Sequence, residues 1–243
     1  TNNYKDVLLY SQKSIIYCRK RNKTKAEANQ TFKLGKIYFD LKLQNDAIEV
    51  LNKSILLFNS ISEKPTREIA TAYYYLGLTY IEKKKYTLAE ACILKTEEIQ
   101  KKLGINEYSD QINLQKGILS KHKNNNSLAS LIFTSIIAKP QSNTAVKTEA
   151  LYQIGTIEAK KKRYNLAINY FKKAFELNKK TGNLVQEANI LLAISTTYDI
   201  MLDKTSAYSY LKKYLNSKES ITLANDEKLG INDYESFKES QRI

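Results

Sequence analysis

The residue types that carry out most protein chemistry are scarce in this sequence. Its 243 residues include one histidine, His122, and two cysteines, Cys18 and Cys92. A general base needs a partner that orients it, whereas His122 lies in the polar stretch 120–126, where we expect it to be solvated. We interpret the cysteines as small core residues. The sequence therefore indicates neither a nucleophile nor a base.

Binding groups for metals and phosphates are equally few. Two cysteines and one histidine are too few for a Cys/His metal site. The sequence also contains no glycine-rich phosphate loop. Helix carboxylates such as Glu97 and Glu98 are typical of a solvated face. We therefore expect no enzymatic activity, no metal and no cofactor.

The elements that carry these residues are predicted to be long helices. Hydrophobic residues make up 42% of the chain and charged residues 26%, so it has enough apolar side chains for a core. Seven glycines and two prolines are too few for the many turns of a β-sandwich or barrel. We find no apolar run long enough to span a membrane in this segment, and no signal peptide.

The net charge is +14 and the isoelectric point about 9.5, which raises nucleic acid as a partner. However, the basic runs 19–21, 83–85 and 160–163 lie in widely separated parts of the sequence, and lysine outnumbers arginine. Nucleic-acid binding requires one continuous stripe with aromatic residues beside it, so the sequence argues against this function. Attraction to an acidic protein or an anionic membrane surface stays open.

Small residues recur along the chain at a fixed spacing. One series is Gly35, Gly77, Gly117, Gly155 and Ser195, and a second is Ala47, Ala89, Ala129, Ala167 and Ala207. Each alanine follows its partner by 12 residues, and each repeat spans 38–42 residues. Two small residues at such a spacing indicate two antiparallel helices in close contact. One helical hairpin cannot cover its apolar face, so the hairpins must stack.

This pattern resembles the tetratricopeptide repeat family. The fourth unit matches best, with Leu151, Ile154-Gly155, Tyr164, Ala167, Phe171 and Ala174 at the family's positions. The units are longer than the usual repeat of about 34 residues, so they resemble the long-helix variety. The resemblance implies an all-α fold, a right-handed α-α superhelix of antiparallel helical hairpins.

The same alignment predicts the domain organisation. Residues 1–25 are expected to form the second helix of a truncated repeat, 26–225 five repeats, and 226–243 a helical tail or the start of a further repeat. Neither end has the polar cap that a solenoid needs, so we expect a piece of a longer protein whose uncapped ends leave room for self-association.

In this family, ligands usually contact first-helix residues on the concave surface. Carrying those positions over predicts a groove that binds a protein or peptide, with the candidates Asn29, Phe32, Lys36, Tyr74, Gln111, Tyr152 and Asn189. Aromatic side chains supply contact area, and amides can bond a peptide backbone. Some members grip a C-terminal carboxylate with a Lys/Asn/Arg clamp. The first-repeat clamp positions hold Phe32 and Lys36 here, which argues against chaperone-tail binding.

The last unit, with Tyr210, Tyr214 and residues 218–220, resembles the end of repeat arrays in bacterial regulators. This likeness favours a non-catalytic sensor or scaffold module of a signalling or transcriptional regulator. It also favours the periplasmic region of a membrane-anchored protein over a cytoplasmic one. Two alternatives stay open: a free-standing intracellular receptor for short signalling peptides, and an accessory subunit or domain of an enzyme.

Overall fold

The computed structural model describes residues 4–226, and every regular element in this range is an α-helix. The helices are α1 (Tyr4–Lys20), α2 (Thr24–Asp40), α3 (Gln44–Ile61), α4 (Arg67–Glu82), α5 (Tyr86–Leu103), α6 (Ser109–His122), α7 (Asn126–Ala138), α8 (Thr144–Lys160), α9 (Tyr164–Asn178), α10 (Leu184–Ile200) and α11 (Lys204–Asp226). The predicted all-α class is confirmed.

The helices form two compact units, which we call unit 1 (residues 4–107) and unit 2 (residues 108–226). In unit 1, α2 pairs with α3 and α4 with α5, and α2 also contacts α4. In unit 2 the pairs are α6 with α7, α8 with α9, and α10 with α11, and α8 contacts both α6 and α10. We call α2, α4, α6, α8 and α10 the first helices, and α3, α5, α7, α9 and α11 the second helices.

The small residues lie where the two helices of a hairpin meet. In the last hairpin the Ser195 hydroxyl donates a hydrogen bond to the Ala207 carbonyl oxygen at 2.8 Å, a direct contact between positions 12 apart. In the fourth repeat, a Cβ added to Gly155 would lie 2.5 Å from the ring of Phe171. The glycine therefore leaves room for an aromatic ring from the opposite helix.

Each hairpin turn contains one residue in the left-handed region. These residues, with φ between 57° and 63°, are Lys42, Lys84, Asn124, Lys162 and Leu202. Each follows the small residue of its repeat by seven positions. The next residue then bonds back to the last turn of the first helix, as Arg163 N does to Glu158 O at 3.0 Å. This is the Schellman ending of a helix, formed here without glycine.

The core of each unit is built from the inward positions of both helix series. In unit 2, Phe133 and Ile136 of α7 pack with Ala150, Ile154 and Ile157 of α8, and all five are buried. Burial of such a continuous apolar seam stabilises the stack of hairpins.

Both cysteines are buried free thiols. Burial raises the pKa of the Cys92 thiol to about 11, so very little thiolate exists at pH 8. In a Cys18→Ser variant, we expect Cys92 to react with Ellman's reagent on the order of 100-fold more slowly than free cysteine at pH 8. The rate should rise with pH up to about 11. Labelling at the rate of free cysteine would contradict this assignment.

The predicted division into residues 1–25, 26–225 and 226–243 stays a prediction. Residues 227–243, which make up almost all of the predicted tail, lie outside the described residues.

Candidate functional site

Aromatic side chains of α2 and α4 meet on the first-helix face of unit 1. Phe32 and Phe39 lie edge-on to Tyr75, with ring centroids 6.4 and 5.4 Å from that of Tyr75. Lys36 lies between them on α2, and its Nζ is 5.1 Å from the Tyr75 centroid. These are favourable edge-to-face and cation–π contacts. Phe32 and Lys36 therefore join two first helices of unit 1.

The other two candidates of unit 1 are also engaged within the protein. The Asn29 amide donates a hydrogen bond to the Lys25 carbonyl oxygen, one turn earlier on α2, at 3.0 Å. Tyr74 is only 7% exposed, and its ring lies 5.3 Å from that of Tyr75. At the predicted positions, unit 1 therefore offers few side chains that are available to a ligand. Replacing Tyr74 would also disturb the core of unit 1.

The three candidates of unit 2 lie on three neighbouring first helices. Tyr152 on α8 is half-buried, and its ring centroid is 5.7 Å from that of Phe171. Gln111 on α6 is half-buried and Asn189 on α10 is exposed. Neither amide hydrogen-bonds to any residue that the structure describes. Unit 2 therefore presents two available amides on the helices that flank Tyr152.

A polar network also connects these three helices. Gln153 on α8 donates to Glu149 Oε1 at 2.6 Å, and Gln186 on α10 donates to Glu149 Oε2 at 3.0 Å. Lys121 on α6 donates to Gln153 Oε1 and, at 3.4 Å, to Thr156 Oγ1. Both glutamines are buried. Because buried polar groups need such partners, the network fixes how α6, α8 and α10 pack.

The electrostatics of the unit 2 face follow from burial and from these charges. Burial, and to a smaller degree the nearby Lys160, lowers the pKa of Lys121, while Glu149 acts in the opposite direction. Burial raises the pKa of the Tyr152 hydroxyl, with a smaller contribution from Glu149. The face thus combines an aromatic residue, two available amides and a partly buried cation.

Sequence reasoning missed the residues that organise both faces. Tyr75 adjoins the candidate Tyr74, and Phe39 lies two positions before the hairpin turn. The sequence therefore shows that both residues are aromatic, but it does not show that they contact each other. Gln153 and Lys121 gave no signal, because a buried glutamine is recognisable only once its partners are known. Both become informative through the hydrogen bond that joins them.

The described residues show no cluster suited to a metal: no three His, Cys, Asp or Glu side chains converge in this part of the chain. None of the described helices combines the length and apolar character needed to cross a bilayer.

Comparison with known proteins agrees with this architecture. The tetratricopeptide repeat model matches residues 32–60, 70–102 and 148–181, which confirms the predicted resemblance for these three segments. No curated protein matches the sequence.

Three similar solved structures, which represent two proteins, share this fold. The apo form of the quorum sensor NprR from B. thuringiensis has a TM-score of 0.73 at 16% identity, covering 93% of this chain and 67% of that one. NprR with its cognate peptide NprX has a TM-score of 0.68 at 16% identity, covering 99% and 77%. The Rap conjugation gene regulator of plasmid pLS20, in complex with the Phr* peptide, has a TM-score of 0.71 at 18% identity, covering 83% and 57%. This chain thus spans little more than half of the Rap regulator.

The preference for the periplasmic region of a membrane-anchored sensor is wrong. The similar structures are a quorum sensor and a regulator of conjugation genes, and neither is described as the periplasmic region of a membrane-anchored protein.

Proposed function

We propose that this chain is a non-catalytic peptide-binding module of a bacterial signalling regulator, and that the peptide binds the first-helix face of unit 2. The observation that carries this proposal is the pair of available amides, on Gln111 and Asn189, on the helices that flank Tyr152. An extended peptide exposes backbone N–H and C=O groups along its length. Side-chain amides can bond both kinds of group, and a tyrosine ring supplies contact area.

The dimensions of the face set the length of the ligand. Neighbouring packed helices lie about 9 Å apart, so α6, α8 and α10 span about 18 Å. An extended chain rises about 3.3 Å per residue, which gives a ligand segment of about six residues. A short peptide therefore fits the face of unit 2 without any contribution from unit 1.

Similarity to NprR and Rap supports the regulatory part of this proposal. Structures of both have been solved with a bound peptide. A sensor region within a longer regulator and a free-standing peptide receptor would use this same face. No contact among the described residues specifically supports a role as the accessory part of an enzyme.

A peptide-capture experiment tests the proposal. The probe is a library of random hexapeptides, incubated with the immobilised 243-residue chain, and bound peptides are quantified by mass spectrometry. We expect Gln111→Ala combined with Asn189→Ala to lower capture by about tenfold or more, because two hydrogen bonds are lost. Neither side chain bonds to a described residue, so the melting temperature should stay unchanged.

The matched control is Asn165→Ala combined with Asn169→Ala, which removes two exposed amides from the second helix α9 of the same unit. This control should capture as much peptide as the unmodified chain. If the unmodified chain captures no peptide, or if both double variants capture equally, the proposed function is wrong.

A further inference from the structure

Lys121 is a half-buried cation of unit 2 whose hydrogen-bond acceptors on the first-helix face are both neutral. Its ammonium group has three N–H donors, and its two hydrogen bonds go to Gln153 Oε1 and Thr156 Oγ1. One donor is thus left for another group. On α8, Gln153 directly follows Tyr152, and Thr156 lies one turn beyond Tyr152. The ammonium group therefore lies within reach of a peptide that crosses Tyr152.

The charges around Lys121 do not neutralise it. No carboxylate of the described residues pairs directly with Lys121, and Glu149 is separated from it by the Gln153 amide. Its other charged neighbour is Lys160, another cation, at the C-terminal end of α8. Several other cations of unit 2 do pair with carboxylates: Lys139 with Asp110 at 2.8 Å, and Lys161 and Arg163 with Glu158.

A half-buried cation that bonds only to neutral acceptors is unfavourable unless an anion offsets it. We propose that the peptide ligand carries a carboxylate, and that Lys121 binds this carboxylate. This inference rests on the proposed function and specifies the chemical class of its ligand as an acidic peptide. Charge-assisted hydrogen bonds to a carboxylate are stronger than those to neutral oxygens, so Lys121 gains a better partner on binding.

The lowered pKa of Lys121 is consistent with this role. Burial and the neighbouring Lys160 disfavour the charged form, and a ligand carboxylate acts in the opposite sense. The binding free energy of an acidic peptide should therefore include the relief of this unfavourable environment.

Two hexapeptide libraries test the proposal, one with free C-terminal carboxylates and one with C-terminal amides. We expect the unmodified chain to prefer acidic peptides by about tenfold. Enrichment of Asp and Glu in both libraries identifies a side-chain carboxylate as the bound group. A preference for the free-acid library, without such enrichment, identifies the C-terminal carboxylate.

Variants then assign the preference to Lys121. Lys121→Met should abolish the preference for acidic peptides while neutral peptides are still captured, and Lys121→Arg should retain the preference. Lys173→Met, on the second helix α9, is the matched control and should behave like the unmodified chain. Lys121→Gln provides a second neutral variant should Lys121→Met fail to fold.

The outcomes separate the two proposals. Capture without any preference for acidic peptides, or a preference that survives in both neutral variants, overturns the carboxylate proposal alone. A chain that captures no peptide from either library overturns the proposed function, and the carboxylate proposal with it.

Discussion

Gly155→Leu is expected to lower the free energy of unfolding by about 3 kcal/mol, at the upper end of the usual effect of overpacking. A Cβ at this position would lie 2.5 and 2.6 Å from Cε1 and Cδ1 of Phe171. Phe171 is only 1% exposed and packs in one core cluster with Ile190 and Ile194, so its ring cannot move away without displacing other core side chains. The gain in helix propensity, about 1 kcal/mol, is too small to offset this overlap.

The effect can be measured by urea unfolding and compared with Ala145→Leu, which introduces the same side chain at an exposed position of α8. The control should change the unfolding free energy by less than about 0.5 kcal/mol. A second comparison combines Gly155→Ala with Phe171→Leu. The smaller opposing side chain leaves room for the new methyl group, so the combined cost should be less than the sum of the two single costs. Equal stability of Gly155→Leu and the unmodified chain would show that the helices do not meet at this position.

Phe133→Ala is expected to destabilise the chain by about 4 kcal/mol, since it removes a buried aromatic ring and leaves a cavity. Phe133 is fully buried in α7 and packs with Ile136 and Ile154 in the core of unit 2. Its ring also faces Gly117, which lies 16 residues earlier on α6. The same ring–glycine contact therefore recurs in the third and fourth repeats.

Leu131→Ala is the matched control, because Leu131 lies two residues earlier on α7 and is 68% exposed. We expect it to change the free energy of unfolding by less than about 1 kcal/mol. Differential scanning calorimetry or urea unfolding checks both variants. Similar losses for Phe133→Ala and Leu131→Ala would contradict the assignment of which face of α7 is buried.

The hairpin contacts could be predicted because they depend on residue size at a fixed spacing. The 12-residue separation between Ser195 and Ala207 can be read directly from the sequence, and in the structure the two residues are hydrogen-bonded. Leu51, Phe133 and Phe171 recur 16 residues after their glycines for the same reason. A pattern that repeats five times reports on packing even when no single copy is informative.

The sequence shows the hairpin turns only as short polar segments, such as residues 83–85 and 160–163. Their left-handed residue is lysine in three repeats and leucine in one, although this conformation favours glycine and asparagine. The residue types in the turns therefore do not predict the Schellman ending of the first helices. The hydrogen bond that closes it depends on the backbone path between the helices, which residue types alone do not specify.

The sequence predicts which positions form the candidate site, but it does not predict which of those side chains are available to a ligand. Asn29 and Asn189 occupy equivalent positions, yet the first donates to its own helix and the second bonds to no described residue. Phe32 and Tyr152 are likewise equivalent, but Phe32 packs against Tyr75 of the next first helix. These differences arise from side-chain packing between neighbouring helices, which a repeat alignment does not contain.

Photo-cross-linking most directly tests the claim that unit 2 binds a peptide across its first helices. A captured hexapeptide that carries a benzophenone group is irradiated with the 243-residue chain, and the modified residues are identified by mass spectrometry. The account predicts attachment to the face formed by α6, α8 and α10, near Gln111, Tyr152 and Asn189. Attachment confined to the second helices α7, α9 and α11 would contradict it.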